Sequence, residues 1–184
     1  MKKRFLVTLT AITGLLTSSI SFPIFAKSDR LEHFGDSAQF GLPLTAAAIS
    51  IFHLDGEGFL QLGEGAIWTS LTTQALKATI DAERPDGTSH SFPSAHTSSA
   101  AQAAAFLQFR YGYVYGVPAY LAAAAVAYSR VDAKRHYWRD VTAGMAIGTG
   151  IQYLITERGV SITNLAIVPY IEAHNYGLEI TYQY

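Results

Sequence analysis

Apolar blocks alternate along the chain with short polar stretches, and the blocks differ in kind. The first, Phe5–Leu16, follows the basic start Lys2-Lys3-Arg4 and leads through a Ser/Thr-rich exit to the small residue Ala26. Met1–Ala26 therefore reads as a secretory signal peptide, with an uncleaved membrane anchor as the alternative, its apolar run being short of the ~20 residues that a membrane span needs. Residues 27–36 are polar and read as a lead-in. Five further blocks predict helices. Phe40–His53 is Ala-rich. Phe59–Leu76 is interrupted at Gly63-Glu64-Gly65 and delivers Lys77 at its end. The third helix starts at Pro93-Ser94, with Ser94 as its N-cap, and runs to about Phe109. Residues 110–116 read as a connection, and Pro118 sits in the first turn of a fourth helix ending near Tyr128. The fifth begins near His136–Asp140 and ends near Thr156. Between the second and third lies a loop, 78–92, with the turn-formers Arg84-Pro85, Asp86-Gly87 and Ser89-His90-Ser91.

The tail changes period. Asn164–Ile171 and Gly177–Tyr184 are rich in Ile, Val, Leu, Thr and Tyr and predict two strands about a turn, with Pro169 at an edge. The pattern as a whole predicts an all-α fold. It is a compact bundle of about five helices with its functional end at one mouth, carrying a short C-terminal β-hairpin. The expected organisation is a signal peptide over 1–26, a helical domain over 27–158 and a tail over 159–184 packed on that domain.

Composition narrows the classes. With 184 residues, 49% of them hydrophobic, the chain can bury one core, and the absence of Cys excludes disulfides and thiolate metal sites. The formal charge of −1 hides an asymmetry. Lys2, Lys3 and Arg4 are three of the 13 basic residues, whereas all 14 acidic residues lie beyond position 26, leaving an acidic remainder with no footprint for nucleic acid. The helices read this way are short: 14 residues give ~21 Å against a hydrocarbon core of ~30 Å. The expectation is an exported, periplasmic bundle resting on a membrane surface.

The chemistry concentrates between Ser129 and Asp140. His136 and Asp140 are four apart, so on a helix they share a face, and the carboxylate can take the imidazole Nδ1 proton. That arrangement suits a nucleophile or a general base. Arg130 adds a fixed, forked cation suited to a phosphate-like anion. Upstream stand Lys77, then Arg84-Pro85, then Pro93-Ser94-Ala95-His96. Each of these residues falls at a helix end or in a loop, where a bundle can gather them. The histidines and acids form no ligand set of the H-E-x-x-H kind, so no metal and no cofactor are expected. His33, His53 and His174 read as surface histidines, His90 as a residue of the loop between blocks, Lys134 and Arg135 as solvated, and Tyr137 and Trp138 as packing at the mouth.

In this order the three stretches resemble the signature of the phosphatidic acid phosphatase type 2 / vanadium haloperoxidase superfamily: K-x6-R-P, P-S-G-H and S-R-x5-H-x3-D. Every defined position matches except Ala95, where the family has Gly; an Ala there demands ordinary helical geometry, and Ala95 is expected to be the first residue of its helix. The resemblance implies that Lys77, Arg84 and Arg130 cradle phosphate oxygens, with Ser94 and the Ala95 N–H as further donors at a helix N-terminus. It implies that His136 attacks phosphorus while Asp140 holds its tautomer, and that His96 protonates the leaving alcohol and then activates water. The implied function is metal-independent hydrolysis of a phosphate monoester, either a lipid phosphate or a small organic phosphate, through a phosphohistidine. The alternatives it leaves are a vanadium-dependent haloperoxidase and a non-catalytic envelope protein that keeps the fold. Neither the substrate nor the oligomeric state is written in these motifs.

Overall fold

The computed structural model describes residues 29–172 and 175–182; the Met1–Ala26 segment and His174 lie outside them. Five helices follow in order: α1 (Asp29–Phe52), α2 (Gly56–Thr79), α3 (Ala95–Tyr111), α4 (Tyr113–Asp132) and α5 (Trp138–Thr156). A single 3-10 turn, Ile162–Asn164, precedes strands β1 (Leu165–Glu172) and β2 (Asn175–Tyr182), which run antiparallel with Leu165 opposite Tyr182 and Glu172 opposite Asn175. The all-α bundle is the one that the apolar blocks predict.

Its centre is α3, which packs on each of the other four helices. Eight successive residues from Ala100 to Leu107 are buried, five of them Ala, so the helix is enclosed on every side. The small side chains let the neighbouring helices approach closely. The apolar core around it comprises Ala46 of α1, Leu62 of α2, Phe106 of α3 and Ala119, Ala123 and Val126 of α4.

Several boundaries differ from the sequence reading. The polar lead-in is helical: α1 starts at Asp29, with Asp29 and Glu32 in its first turn, where acids favour the helix dipole. Helix α2 is unbroken through Gly63-Glu64-Gly65, and Glu64 and Gly65 have packing reasons to be there. A Cβ on Gly65 would collide with Gln152 Oε1 of α5 and come within 2.7 Å of Gln102 Nε2 of α3, so glycine allows those amides in. The buried Glu64 carboxylate accepts from Ser161 Oγ at 2.7 Å and Ile162 N at 3.2 Å. The connection expected over 110–116 shrinks to Gly112 alone, and Pro118 lies inside α4 rather than in its first turn. Helix α5, by contrast, begins at Trp138, within the expected window, with Tyr137 as its N-cap.

Helices of 24 residues in α1 and α2 are about 36 Å long, well beyond the length that the sequence blocks implied. Among the described residues no helix is both long and apolar enough to cross a membrane.

Candidate active site

The up-and-down path brings the start of α1, the end of α2, the start of α3, the end of α4 and the start of α5 to one end of the bundle. There a cavity of about 290 Å³ is lined by Lys77, Arg84, Ala95, His96, Arg130 and His136, together with Glu32, Asp36 and Arg135. Six of the eight sequence-predicted site residues thus meet around one space. The other two, Ser94 and Asp140, are fully buried beside it.

Local sequence explains each placement. Lys77 ends α2 and its Nζ donates to the His90 carbonyl at 2.7 Å, which draws the loop over the helix end. Arg84 opens a tight turn: Gly87 N donates to its carbonyl at 2.9 Å, its own N–H donates to Thr88 O at 2.7 Å, and Asp86 Oδ1 accepts from Thr88 N at 3.0 Å. Arg84 Nε is buried without a hydrogen-bond partner among the described residues, a donor that an anion in the cavity would satisfy. The Phe92–Pro93 peptide is cis. Ser94 caps α3, its Oγ accepting from Thr97 Oγ1 at 3.0 Å and Thr97 N at 3.4 Å, and Ala95 is the first helical residue, as expected. Ser94 N donates to the Asp140 carbonyl at 3.0 Å, which locks the α3 and α5 N-termini side by side. Two helix N-termini therefore face the same end, and both favour an anion there.

His136 is buried, one residue before the N-cap of α5, and Asp140 is the third residue of that helix. The pair is therefore not stacked on one helical face. His136 Nδ1 lies 3.7 Å from Asp140 Oδ2, an ion-pair distance rather than a hydrogen bond. The carboxylate is held instead by Ser91 Oγ, which donates to Oδ2 at 2.5 Å, and by Tyr137 N at 2.9 Å. Burial pushes His136 down to about 4, with the Lys77 and Arg84 cations adding to it, against the opposite pull of Asp140 and the Ser91 carbonyl. His136 is thus a neutral imidazole at neutral pH. Burial also lowers Lys77, with help from Arg84.

Arg130 is almost wholly buried, and α1 holds it. Nη1 donates to Asp36 Oδ1 at 2.6 Å, Nη2 to the Glu32 carbonyl at 2.5 Å, and Nε to Ser129 Oγ at 3.1 Å. His96 Nε2 lies 3.1 Å from the same Asp36 Oδ1. Arg135 is not merely solvated: it lines the cavity and pairs with Glu32 Oε1 at 3.0 Å and Asp86 Oδ2 at 3.2 Å. Sequence reasoning missed Ser91, Glu32 and Asp36. The i,i+4 spacing of Glu32 and Asp36 on one helical face was the only signal for the last two. The His90 ring bonds Ser89 Oγ at 2.8 Å and does not line the cavity, and His33 and His53 are exposed. Tyr137 lies under the Arg139 guanidinium at 5.1 Å, and Trp138 sits 6.4 Å from Tyr128, both rings partly exposed at this end. Among the described residues no group of three His, Asp or Glu could hold a metal ion.

A cavity with four cations, two histidines and two helix N-termini is equipped to bind an oxyanion and carry out nucleophilic and acid–base steps on it. Comparisons with known proteins agree. The chain is 31% identical over 150 residues to a lipid A 4'-phosphatase of Helicobacter pylori, covering 75% of each protein. It is 37% identical over 86 residues to a lipid A 1-phosphatase of Porphyromonas gingivalis, covering 45% of this chain and 18% of that one. The crystal structure of Aquifex aeolicus LpxE superposes with a TM-score of 0.60 at 22% identity, covering 72% of this chain and 88% of the other. A transmembrane PAP2-type phosphatidylglycerolphosphate phosphatase from Bacillus subtilis gives 0.57 at 25% identity, covering 71% and 73%. The model of the PAP2 superfamily matches residues 58–159, more than half of the sequence, and the chain belongs to that superfamily.

Proposed function

We propose that this PAP2-superfamily phosphatase removes a phosphate monoester from a lipid, through a phosphohistidine on His136. The observation that carries the reading is the meeting of Lys77, Arg84 and Arg130 with a neutral His136 and with His96 around one cavity. A phosphoryl group in transfer spreads negative charge over its equatorial oxygens, which the three cations and the α3 N-terminus are placed to offset. In the first step the His136 Nε2 lone pair forms the P–N bond as the P–O ester bond breaks, and His96 gives the departing oxygen its proton. In the second, His96 takes a proton from water, the hydroxide attacks phosphorus, and the P–N bond breaks to release phosphate and restore His136. Asp140 steadies the imidazolium as it forms, the 3.7 Å separation tightening once substrate is bound.

Two things favour a lipid over a soluble ester. The sequence relatives act on lipid A, and the outer faces of the helices are apolar: Phe59, Leu60, Ile67, Trp68 and Leu71 of α2 and Val114, Val117 and Leu121 of α4 are all exposed. The same reading places the bundle at a membrane, exported by the 1–26 segment, with 27–158 as the catalytic domain. The tail is tied to it where Ser161 and Ile162 meet Glu64.

The test offers the protein, purified in detergent, to lipid A, phosphatidic acid and a soluble alkyl phosphate in the presence of EDTA. Phosphate release from a lipid monoester is expected to survive EDTA, to stop with vanadate and to vanish in His136→Ala. Wild type quenched in alkali should carry an acid-labile phosphoryl group on His136. Turnover by the alanine variant, or activity lost to EDTA and restored by Mg²⁺ or Zn²⁺, would overturn the reading.

A further inference from the structure

Asp36 stands at the centre of contacts that the three motif blocks do not explain. It lies on the second turn of α1, and one oxygen, Oδ1, faces both Arg130 Nη1 at 2.6 Å and His96 Nε2 at 3.1 Å. A carboxylate accepts and never donates when ionised, so His96 must present an N–H at Nε2. Its other nitrogen, Nδ1, is the one left for substrate.

We propose that Asp36 is the positioning residue of the proton donor: it binds the Nε2–H of His96 and so makes Nδ1 the nitrogen that protonates the leaving oxygen. The inference rests on the phosphatase reading above. Before transfer His96 carries both protons, Nε2–H on Asp36 and Nδ1–H toward the ester oxygen. After transfer the bond to Asp36 keeps the Nε2–H tautomer, and the Nδ1 lone pair is ready to take a proton from water. One hydrogen bond thus sets the same ring for both half-reactions, as an orienting carboxylate does for the base of a catalytic triad.

Charge gives Asp36 a second task. The groups facing this space are Arg84 of the loop and Arg130 of α4, with Lys77 of α2 and Arg135 and His136 of the α4–α5 turn. Glu32, the other α1 acid there, is paired with Arg135. Burial lowers His96, Arg130 and Arg84 lower it further, and Asp36 is the group that pulls it back. A donor must hold its proton when substrate arrives, so losing the Asp36 charge should lower His96 further and shrink the fraction that carries the proton. Asp36 itself is held below the usual carboxylate range by Arg130 and His96, against its partial burial, and so stays ionised throughout.

The experiment compares two esters that present the same phosphate. An alkyl phosphate needs its oxygen protonated, whereas p-nitrophenyl phosphate releases a stable phenolate without help. Asp36→Asn keeps an acceptor for Nε2 and loses only the charge. In the first half-reaction, read as the burst of released alcohol or phenol, it should slow the alkyl ester by about a hundredfold and the aryl ester far less, because general acid catalysis is worth ~10²–10⁴ where it is needed. Since activity is lost as pH rises through the donor's pKa, the basic limb of the alkyl-ester profile should move to lower pH. Imidazole NMR of histidine-labelled protein reads the same group without substrate: the His96 pKa should fall in Asp36→Asn and recover in Asp36→Glu. Equal losses on both esters with an unmoved His96 would make Asp36 only a brace for Arg130. Gains on both would make it a plug in the phosphate's place. If no ester is hydrolysed by wild type, the phosphatase reading fails, and the NMR titration still decides whether Asp36 governs His96.

Discussion

Asp140 shows how much a single carboxylate is asked to do. Fully buried, it receives the Ser91 hydroxyl and the Tyr137 N–H on one oxygen, and that oxygen is also the nearest acid to His136. Asn at 140 keeps the shape but removes the charge that favours imidazolium, and it adds donor hydrogens beside the Ser91 hydroxyl. Asp140→Asn is therefore expected to lower kcat by roughly 10²–10⁴, as loss of the orienting carboxylate does in a catalytic triad, with KM little changed. Ser91→Ala removes one hydrogen bond to a charged acceptor, worth ~1.5–3 kcal/mol, and leaves the charge in place; a loss of about ten- to a hundredfold follows. Steady-state kinetics on one lipid phosphate checks both, and a rise in KM alone for Asp140→Asn would make it a binding residue. The motif spacing named Asp140 and not Ser91. A serine in a turn-rich loop reads as a turn-former, and its real partner lies 49 residues away, reached only once α5 has packed against the loop. Asp36 was hidden in the same way: as part of a polar run after a leader-like segment it had no visible partner, because Arg130 and His96 come from α4 and α3.

At the scale of elements, the number and order of helices were legible because each apolar block is separated by Gly, Pro or charge. Their ends were not. Blocks mark where a helix is apolar, and α1 begins two polar turns before its first apolar stretch because its acids have cations waiting at the mouth. Likewise, Gly63-Glu64-Gly65 looks like a breaker locally, yet Glu64 and Gly65 serve packing in three dimensions. Glycine does similar work where α5 crosses α3. A Cβ on Gly148 would meet the Ser98 carbonyl oxygen and lie 2.7 Å from Gln102 N, both in the backbone of the central helix and unable to swing aside. Gly148→Ala is expected to destabilise by ~1–3 kcal/mol, the usual penalty of overpacking, and to lower the thermal midpoint measured in detergent. Gly150→Ala is the control: nothing lies within 4 Å of its Cβ, and removing a helical glycine there should be neutral or stabilising. Equal midpoints for the two variants would mean that the helices part more easily than their packing suggests.

For the whole molecule, the mean hydropathy of +0.18 is a poor guide, because large apolar side chains lie outside the Ala-rich core and polar ones are buried beside it. Helix α2 buries Gln61, Glu64, Thr69 and Thr73 while exposing Phe59, Leu60, Ile67, Trp68 and Leu71. Inside, Gln102 Nε2 donates to Gln152 Oε1 at 2.7 Å, and Thr73 and Ser98 share a hydrogen bond at 3.0 Å. Averaging along a helix mixes its two faces, so the inward polar groups mask an outward face that water does not favour. Exposed apolar faces on this scale mark contact with a partner or a membrane, and the lipid substrate proposed above would make the membrane the natural occupant. The chain's two tryptophans can report this. Trp68 lies mid-way along α2, nine residues before Lys77 and hence ~13 Å from the level of the mouth, whereas Trp138 begins α5 at the mouth itself. In vesicles whose acyl chains carry bromine near their middle, a Trp138→Phe variant should lose most of its fluorescence through Trp68. A Trp68→Phe variant should be quenched weakly, and more by bromine placed near the headgroup. That gradient would set the phosphate cavity at headgroup level, where a lipid phosphate arrives without leaving its bilayer. Equal weak quenching of both would seat the bundle outside the acyl region and leave its apolar faces to another protein surface.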